Sequence, residues 1–411
     1  MRLTEAASRE GVDESPRGVF VTARGALSSL GANAAEHLIG YRDGSLGLHP
    51  LQVGSYRVPL GALSASARAR VSELVGAHPQ YARLDPSVLF AILATREALA
   101  TKPELESFAV CLGSSRGATE RLEQTHRDFL NHGEVKPATS PTTTLGNLSS
   151  NVARDRFGPN VSVELSSACT SSLHAVLFGY AYLRAGLGAA CLVGGAEAPL
   201  TPFTLAQLDA LGLLNRDLES ATPCRPLSGA ASATPESTMN RMVLGEGACV
   251  LLLQRLPRSE AARRGALAEI VGIGSALEKT PHPASMSADG QALQQAMRAA
   301  LAAQVAAVDA VVVHAPGTAR GDKAELAALA KVFGSHVPPL CSNKWQLGHT
   351  FGASGAFGID FALALLAGAV PATAPFPSAL SQPTGAVRRV LVNGAGFGGT
   401  AVSVLLQAVA N

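Results

Sequence analysis

Little in this chain points toward a charged or lipid partner. Its 33 Lys and Arg nearly cancel its 31 Asp and Glu, leaving +2, so there is no basic field for nucleic acid or an acidic membrane surface. Long hydrophobic runs are also missing. Nowhere do about 18 uninterrupted apolar residues occur, which leaves no transmembrane helix to predict. The stretch "FGIDFALALLAGAV" is too short, carries Asp360 and reads as a buried helix. The opening "MRLTEAASREGVDESPRG" lacks the apolar core of a secretory signal. Six cysteines are scattered without Cys-x-x-Cys spacing, which argues against zinc or a disulfide framework and predicts a reducing cytoplasm. Aromatics are only 5% while glycine reaches 41 residues; close backbone approaches and tight turns are expected, as in an α/β enzyme.

Short apolar runs that end in glycine loops recur along the chain: "FAVCLGSSRGAT", "AACLVGGAEAP", "AVVVHAPGT" and "RRVLVNGAGFGGT". Such runs predict strands buried on both faces. Between them lie helical patterns such as "SSLHAVLFGYAYLRAG", where Leu173, Val176, Leu177, Tyr180 and Leu183 fall on one face. Alternation of strand and helix predicts a layered α/β fold. Residues 1–17 read as a loose tail, and 223–241, rich in Ser, Thr, Pro and Ala, as a long loop. A faint duplication is visible. Cys169 precedes one apolar helix and the strand "ACLVGGAEA"; His349 precedes another and the strand "VLVNGAGFGG". The halves would run over 18–262 and 263–411.

"VELSSACTSSLHAV" (Val163–Val176) sets a cysteine among small hydroxyl residues where a strand ends and a helix begins. Cysteine is a nucleophile as the thiolate, and a helix N-terminus lowers its pKa; Ala168 before it permits a sharp turn. Cys169 is therefore the candidate nucleophile, against the alternative of a buried structural cysteine. His314 follows the apolar strand "AVVV", and His349 lies in "SNKWQLGHTFGASGA"; both sit beside glycines at element ends. An imidazole there can donate to a developing oxyanion or move a proton, or it can simply cap or pack a loop. The other eight histidines have no comparable setting; His126 and His132 read as exposed.

These residues resemble the β-ketoacyl synthases, the condensing enzymes of fatty acid and polyketide synthesis. The match runs from about Val19 onward through "VFVTARGALSSLG", "SSACTSS", "MVLGEGACVLLL", "HAPGTARGDKAE", "SNKWQLGHTFGASGA" and "NGAGFGGT", in family order. The resemblance implies a thiolase fold of two similar αβαβα halves with the site between them. It implies that Cys169 takes an acyl group from an acyl carrier protein, and that His314 and His349 bind the thioester carbonyl of the malonyl carrier while CO₂ leaves. Backbone N–H groups of Cys169 and Phe397 would form the oxyanion hole. Lys344 and Glu325 would be a supporting pair that holds the histidines, or a plain buried ion pair. Phe397 would gate the site, or belong to the core. Thr318, Gly398 and Gly399 would receive the phosphopantetheine arm, which arrives on the carrier, so that no metal or organic cofactor is implied. The family's dimers imply a second subunit, identical or related.

Three departures stand out. Pro316 replaces the first of two threonines after the first histidine, leaving Thr318. Ala395 replaces a phenylalanine before "GFGG" and would widen the gate or admit an unusual acyl group. The 223–241 loop is longer than the family's. They keep a chain-length-factor-like silent partner in view, although such subunits usually lack the cysteine, and they point to a dedicated pathway such as a polyketide or aryl polyene. A degradative thiolase would need a second cysteine in the C-terminal glycine loop, an initiating synthase an Asn in place of His349, and a cysteine hydrolase one histidine with an orienting carboxylate or amide. A pure binding protein is the non-enzyme alternative.

Overall fold

The computed structural model describes residues 17–156, 159–230, 241–282, 285–302 and 308–409. The chain opens with β1 (Arg17–Ser28), α1 (Ala34–Asp43), the hairpin β2 (His49–Val53) and β3 (Tyr56–Gly61), then α2 (Ala65–Ala77) and α3 (Pro86–Ala100). Next come β4 (Phe108–Gly113), α4 (Thr119–His132), α5 (Thr139–Thr143), α6 (Asn147–Asp155), β5 (Pro159–Leu165), α7 (Ser171–Arg184), β6 (Ala190–Glu197), α8 (Pro202–Ala210), β7 (Leu244–Gly245) and β8 (Gly247–Pro257). The remainder is β9 (Ala268–Leu277), α9 (Gln291–Leu301), β10 (Ala310–Val312), α10 (Ala319–Phe333), β11 (Leu340–Cys341), α11 (Lys344–Leu347), α12 (Ser354–Leu366), β12 (Arg389–Gly396) and β13 (Thr400–Gln407).

Ten strands form one sheet in the order β11-β10-β12-β13-β9-β1-β8-β6-β4-β5. Outward from its centre the two arms repeat each other. Each has two antiparallel neighbours, an antiparallel step to an inner strand, and two parallel steps to the edge. The arms meet only at Phe20–Glu269 and Val21–Ala268, and the sheet folds there over a central layer. That layer is α7 and α12, which pack on each other; α3 covers the outer face of one arm and α9 that of the other. The five layers and the duplicated arms are the expected thiolase fold.

Local chemistry explains the elements. Asn33, Asp85 and Thr201 accept backbone N–H groups as caps of α1, α3 and α8, and Pro86 and Pro202 open the latter two. All but one residue of α12 are buried, as a central layer requires. Glycine permits the tightest strand–helix contacts. A Cβ on Gly25 of β1 would lie 2.0 Å from the Ala94 carbonyl of α3, and one on Gly274 of β9 would lie 2.1 Å from the Ala296 carbonyl of α9. The same device at equivalent points of both arms is a trace of the duplication. Arg17 opens β1 rather than ending the expected loose tail; residues 1–16 lie outside the described residues, as does 231–240 of the long loop.

A candidate condensing site between the two halves

Cys169 stands just before α7, on a turn whose Ala168 has φ +45°. That conformation is strained for a residue with a Cβ, and the neighbouring hydroxyls hold it. Ser171 Oγ accepts from the Ser167 N–H at 2.9 Å and donates to the Ala168 carbonyl at 2.6 Å, and Thr170 Oγ1 donates to the Ser167 carbonyl at 2.7 Å. The loop after β12 closes over this turn: a Cβ on Gly396 would lie 3.1 Å from the Cys169 nitrogen. The thiol itself is buried among Leu205, Leu208, Met242, Leu244 and Phe351.

Burial overturns the expectation of a resting thiolate. The helix start brings Cys169's own backbone N–H, and Lys344 is near, and both favour the anion. Desolvation and the Glu197 carboxylate oppose them, and the thiol is pushed up to about 12.

His314 and His349 meet as expected. Their rings are 5.3 Å apart at 81°, edge to face. His314 is buried after β10; His349 is fully buried between α11 and α12. The His349 backbone is pinned in strand fashion, its N–H donating to Val243 (2.8 Å) and its carbonyl accepting from Gly245 (3.1 Å). Neither ring nitrogen of His349 has a hydrogen-bond partner among the described residues. Burial and the Lys344 charge hold both imidazoles well below their ordinary pKa, so they are neutral near pH 7 and each has one N–H to donate.

Glu325 and Lys344 act on the backbone around His314. Among the described residues no ion pair joins Lys344 to Glu325, and neither grips an imidazole. Glu325 accepts the backbone N–H groups of His314 (2.9 Å) and Ala315 (2.6 Å), where Ala315 has φ +20°. Asn393 donates to it at 3.2 Å and is itself held by Ser403 at 2.8 Å. Lys344 Nζ donates to the Val313 carbonyl at 3.4 Å. Both side chains fix the strand-to-loop backbone that carries His314, and their charges act on each other through the buried interior. Burial raises Glu325 and lowers Lys344.

Thr318 lies at the start of α10, and its carbonyl accepts from Asp322 N–H at 2.9 Å. Gly398 and Gly399 have φ of +85° and +77°, which only glycine adopts readily. Phe397 is 39% exposed and so is no part of the core. Ala395 opens no space: it is buried in a cluster with Leu227, Ala315 and Leu391, so the widened gate is absent. Leu227 belongs to the first part of the long loop, and Asp322 clamps it there by accepting its N–H (2.7 Å) together with that of Gly317 (3.1 Å).

Sequence reasoning missed Glu197 and Arg116. Glu197 ends β6, whose other residues are all apolar or glycine and all buried; a carboxylate closing such a run was the available signal. It accepts from the Ser115 N–H, from Ser115 Oγ at 2.7 Å and from the Gly352 N–H at 3.1 Å, and burial pushes it up to about 7. Also missed was a buried arrangement of Ser28, His37 and Asp360. Ser28 Oγ lies 3.0 Å from His37 Nε2, and His37 Nδ1 lies 3.5 Å from Asp360 Oδ2. Tyr41 and Arg24 donate to Asp360 at 2.9 and 2.7 Å. Its order resembles a hydrolytic triad, but Ser28, His37 and Asp360 are 0% exposed, so no substrate reaches it.

The chain belongs to the β-ketoacyl synthase family: the family's N-terminal domain model matches residues 51–259 and its C-terminal domain model residues 267–377. A polyketide β-ketoacyl synthase of Streptomyces cyaneus is 30% identical over 356 residues, 79% of this chain and 82% of that one. Nodulation protein E of Rhizobium leguminosarum bv. trifolii is 30% identical over 381 residues, 88% of this chain and 89% of its own. Among solved structures, the ishigamide ketosynthase/chain length factor superposes with a TM-score of 0.82 at 24% identity, covering 96% of this chain and all of that one.

Proposed function

We propose that the protein extends an acyl chain by decarboxylative condensation with a malonyl group on an acyl carrier protein. What carries this reading is the pair of neutral, buried imidazoles in edge contact, one of them 5.6 Å from the ring of Phe351, which belongs to the apolar cluster of Cys169. Cys169 sulfur attacks the carbonyl of a carrier-bound acyl thioester. A new C–S bond forms, the bond to the carrier arm breaks, and the thiol proton ends on the departing arm. This exchange needs no resting thiolate, because a proton leaves one sulfur as another takes it up. The malonyl carrier then enters, and its thioester carbonyl takes the N–H donors of His314 and His349. Its C–CO₂ bond breaks and the electron pair becomes an enolate, whose negative oxygen those donors stabilise. Two neutral donors suit a developing oxyanion, and one such donor is worth roughly 100- to 1000-fold in rate. The enolate carbon attacks the acyl-Cys169 carbonyl, and the tetrahedral oxyanion faces the N–H groups of Cys169 and Phe397. Collapse expels the Cys169 sulfur as the thiolate, which takes up one proton from solvent, and releases the 3-oxoacyl carrier. Thr318, Gly398 and Gly399 line the approach of the arm.

Family membership and the polyketide relatives support a carrier-protein partner and a pathway of specialised acyl-chain synthesis. β5 is an open sheet edge, and α4 exposes Leu122, Phe129 and Leu130; a second subunit, identical or of the chain-length-factor type, would cover such a surface. Intact-protein mass spectrometry after mixing with acyl carrier protein, beside Cys169→Ala, tests the reading. An adduct on the native protein only, discharged as 3-oxoacyl carrier when malonyl carrier is added, is the expected result. A folded protein that takes no acyl group, alone or with a related subunit, would instead be a silent partner.

A further inference from the structure

The polar groups that this condensation leaves unused gather around Phe351. The Phe351 ring has His349 at 5.6 Å on one flank and the Arg116 guanidinium at 5.9 Å on another, and it packs in the cluster of Cys169. Arg116 donates through Nη2 to Gln207 Oε1 of α8, and the residues on either side of Gln207's turn, Leu205 and Leu208, belong to the same cluster. Besides both ring nitrogens of His349 and the Thr350 hydroxyl, two charged groups there have a sealed atom unpaired among the described residues: the donor Nε of Arg116 and the acceptor Oε2 of Glu197. A pocket for a plain alkyl chain has no use for a half-satisfied guanidinium. A buried donor without an acceptor keeps its full desolvation cost, and an alkyl chain laid against it leaves that cost in place. A substrate oxygen removes it.

We propose that Arg116, oriented by Gln207, reads a hydrogen-bond-accepting oxygen on the acyl group held by Cys169, so that the protein loads chains bearing a ketone or a terminal carboxylate in preference to plain alkyl chains. The proposal rests on the condensing reading above and adds the class of acyl group. A hydrophobic pocket separates chains that differ by a methylene by only about 10- to 200-fold, whereas a site built to hydrogen-bond a substrate group rejects the analogue lacking it far more strongly.

The test measures the rate of adduct formation on Cys169 by intact mass. The donors are octanoyl carrier, its 3-, 5- and 7-oxo analogues, and the half-thioester of the eight-carbon dicarboxylic acid. The native protein is expected to load at least one oxygen-bearing chain about tenfold or more faster than octanoyl, the fold-change of a single hydrogen bond of about 1.4 kcal/mol. Ketone and carboxylate arms show which oxygen is read. Arg116→Met should erase the advantage and speed octanoyl loading, and Gln207→Leu should reduce it. Octanoyl loading as fast as every other donor on the native protein overturns the proposal. So does an advantage that survives Arg116→Met in a folded variant or, should that variant not fold, one that survives Gln207→Leu in full. Loading by no donor at all, alone or with a related subunit, overturns the condensing reading itself and this inference with it.

Discussion

The two arms of the sheet are built alike and equipped unlike. After β4 the first arm places Arg116; after β10 the second places His314. Before α7 stands Cys169; before α12 stands His349. At the end of β6 is the buried carboxylate of Glu197, and at the end of β12 is Gly396, pressed on the Cys169 turn. Equivalent strand ends converge on one place because the arms pack face to face through α7 and α12. Duplication supplied the scaffold, and divergence at three pairs of loop positions supplied the chemistry. One arm offers a cysteine in an apolar setting with charges at its margin, and the other offers two buried imidazoles in edge contact.

The largest expected effect is on the nucleophile's side. Cys169→Ala should abolish the acyl adduct, as read by intact mass, while leaving the fold unchanged by circular dichroism. Next comes the seam. Asp360 of α12 binds Arg24 of β1 and Tyr41 of α1 across the two halves, and Asp360→Ala should destabilise the protein by about 3–5 kcal/mol in denaturant unfolding, because it strands a buried cation. On the other arm, His314→Ala or His349→Ala should slow CO₂ release from malonyl carrier roughly 100- to 1000-fold while Cys169 still accepts an acyl group. A variant that loses both steps equally would break the division of labour between the arms.

The smallest effect concerns pH. Burial raises Glu197 from its ordinary 4.5 to about 7. In that window the folded state holds a proton that the unfolded state has released, so its contribution to stability is full below pH 4.5 and is lost as pH rises toward 7. Glu197→Gln should therefore flatten the fall in stability between pH 4.5 and 7, measured by urea unfolding at several pH values. An unchanged slope would mean that Glu246 and Asp322, also raised to about 7, account for it.

Legibility followed range. Cys169, His314 and His349 could be read because each is marked by its own few neighbours: small residues for a turn, a strand run before, a glycine after. A layered α/β fold could be read from the alternation of apolar runs and helical stripes; its five layers were implied by the family resemblance. How Lys344 and Glu325 hold the site could not be read. The family resemblance implied a supporting pair, but whether two buried charges meet or each seizes a nearby backbone depends on where the strand ends, and here the backbone N–H groups of His314 and Ala315 took the carboxylate. Ala395 misled for the same reason, since Leu227, from far along the chain, packs beside it.

By itself the sequence determined at which element ends Cys169, His314 and His349 sit, because turn geometry, capping and periodicity act within a few residues. The tertiary structure decided how reactive they are. Burial set the Cys169 thiol high and both imidazoles low, and it left Arg116 and Glu197 each with an atom unpaired among the described residues. Desolvation and charge at a distance are properties of the packed interior, where groups from opposite ends of the chain meet away from water.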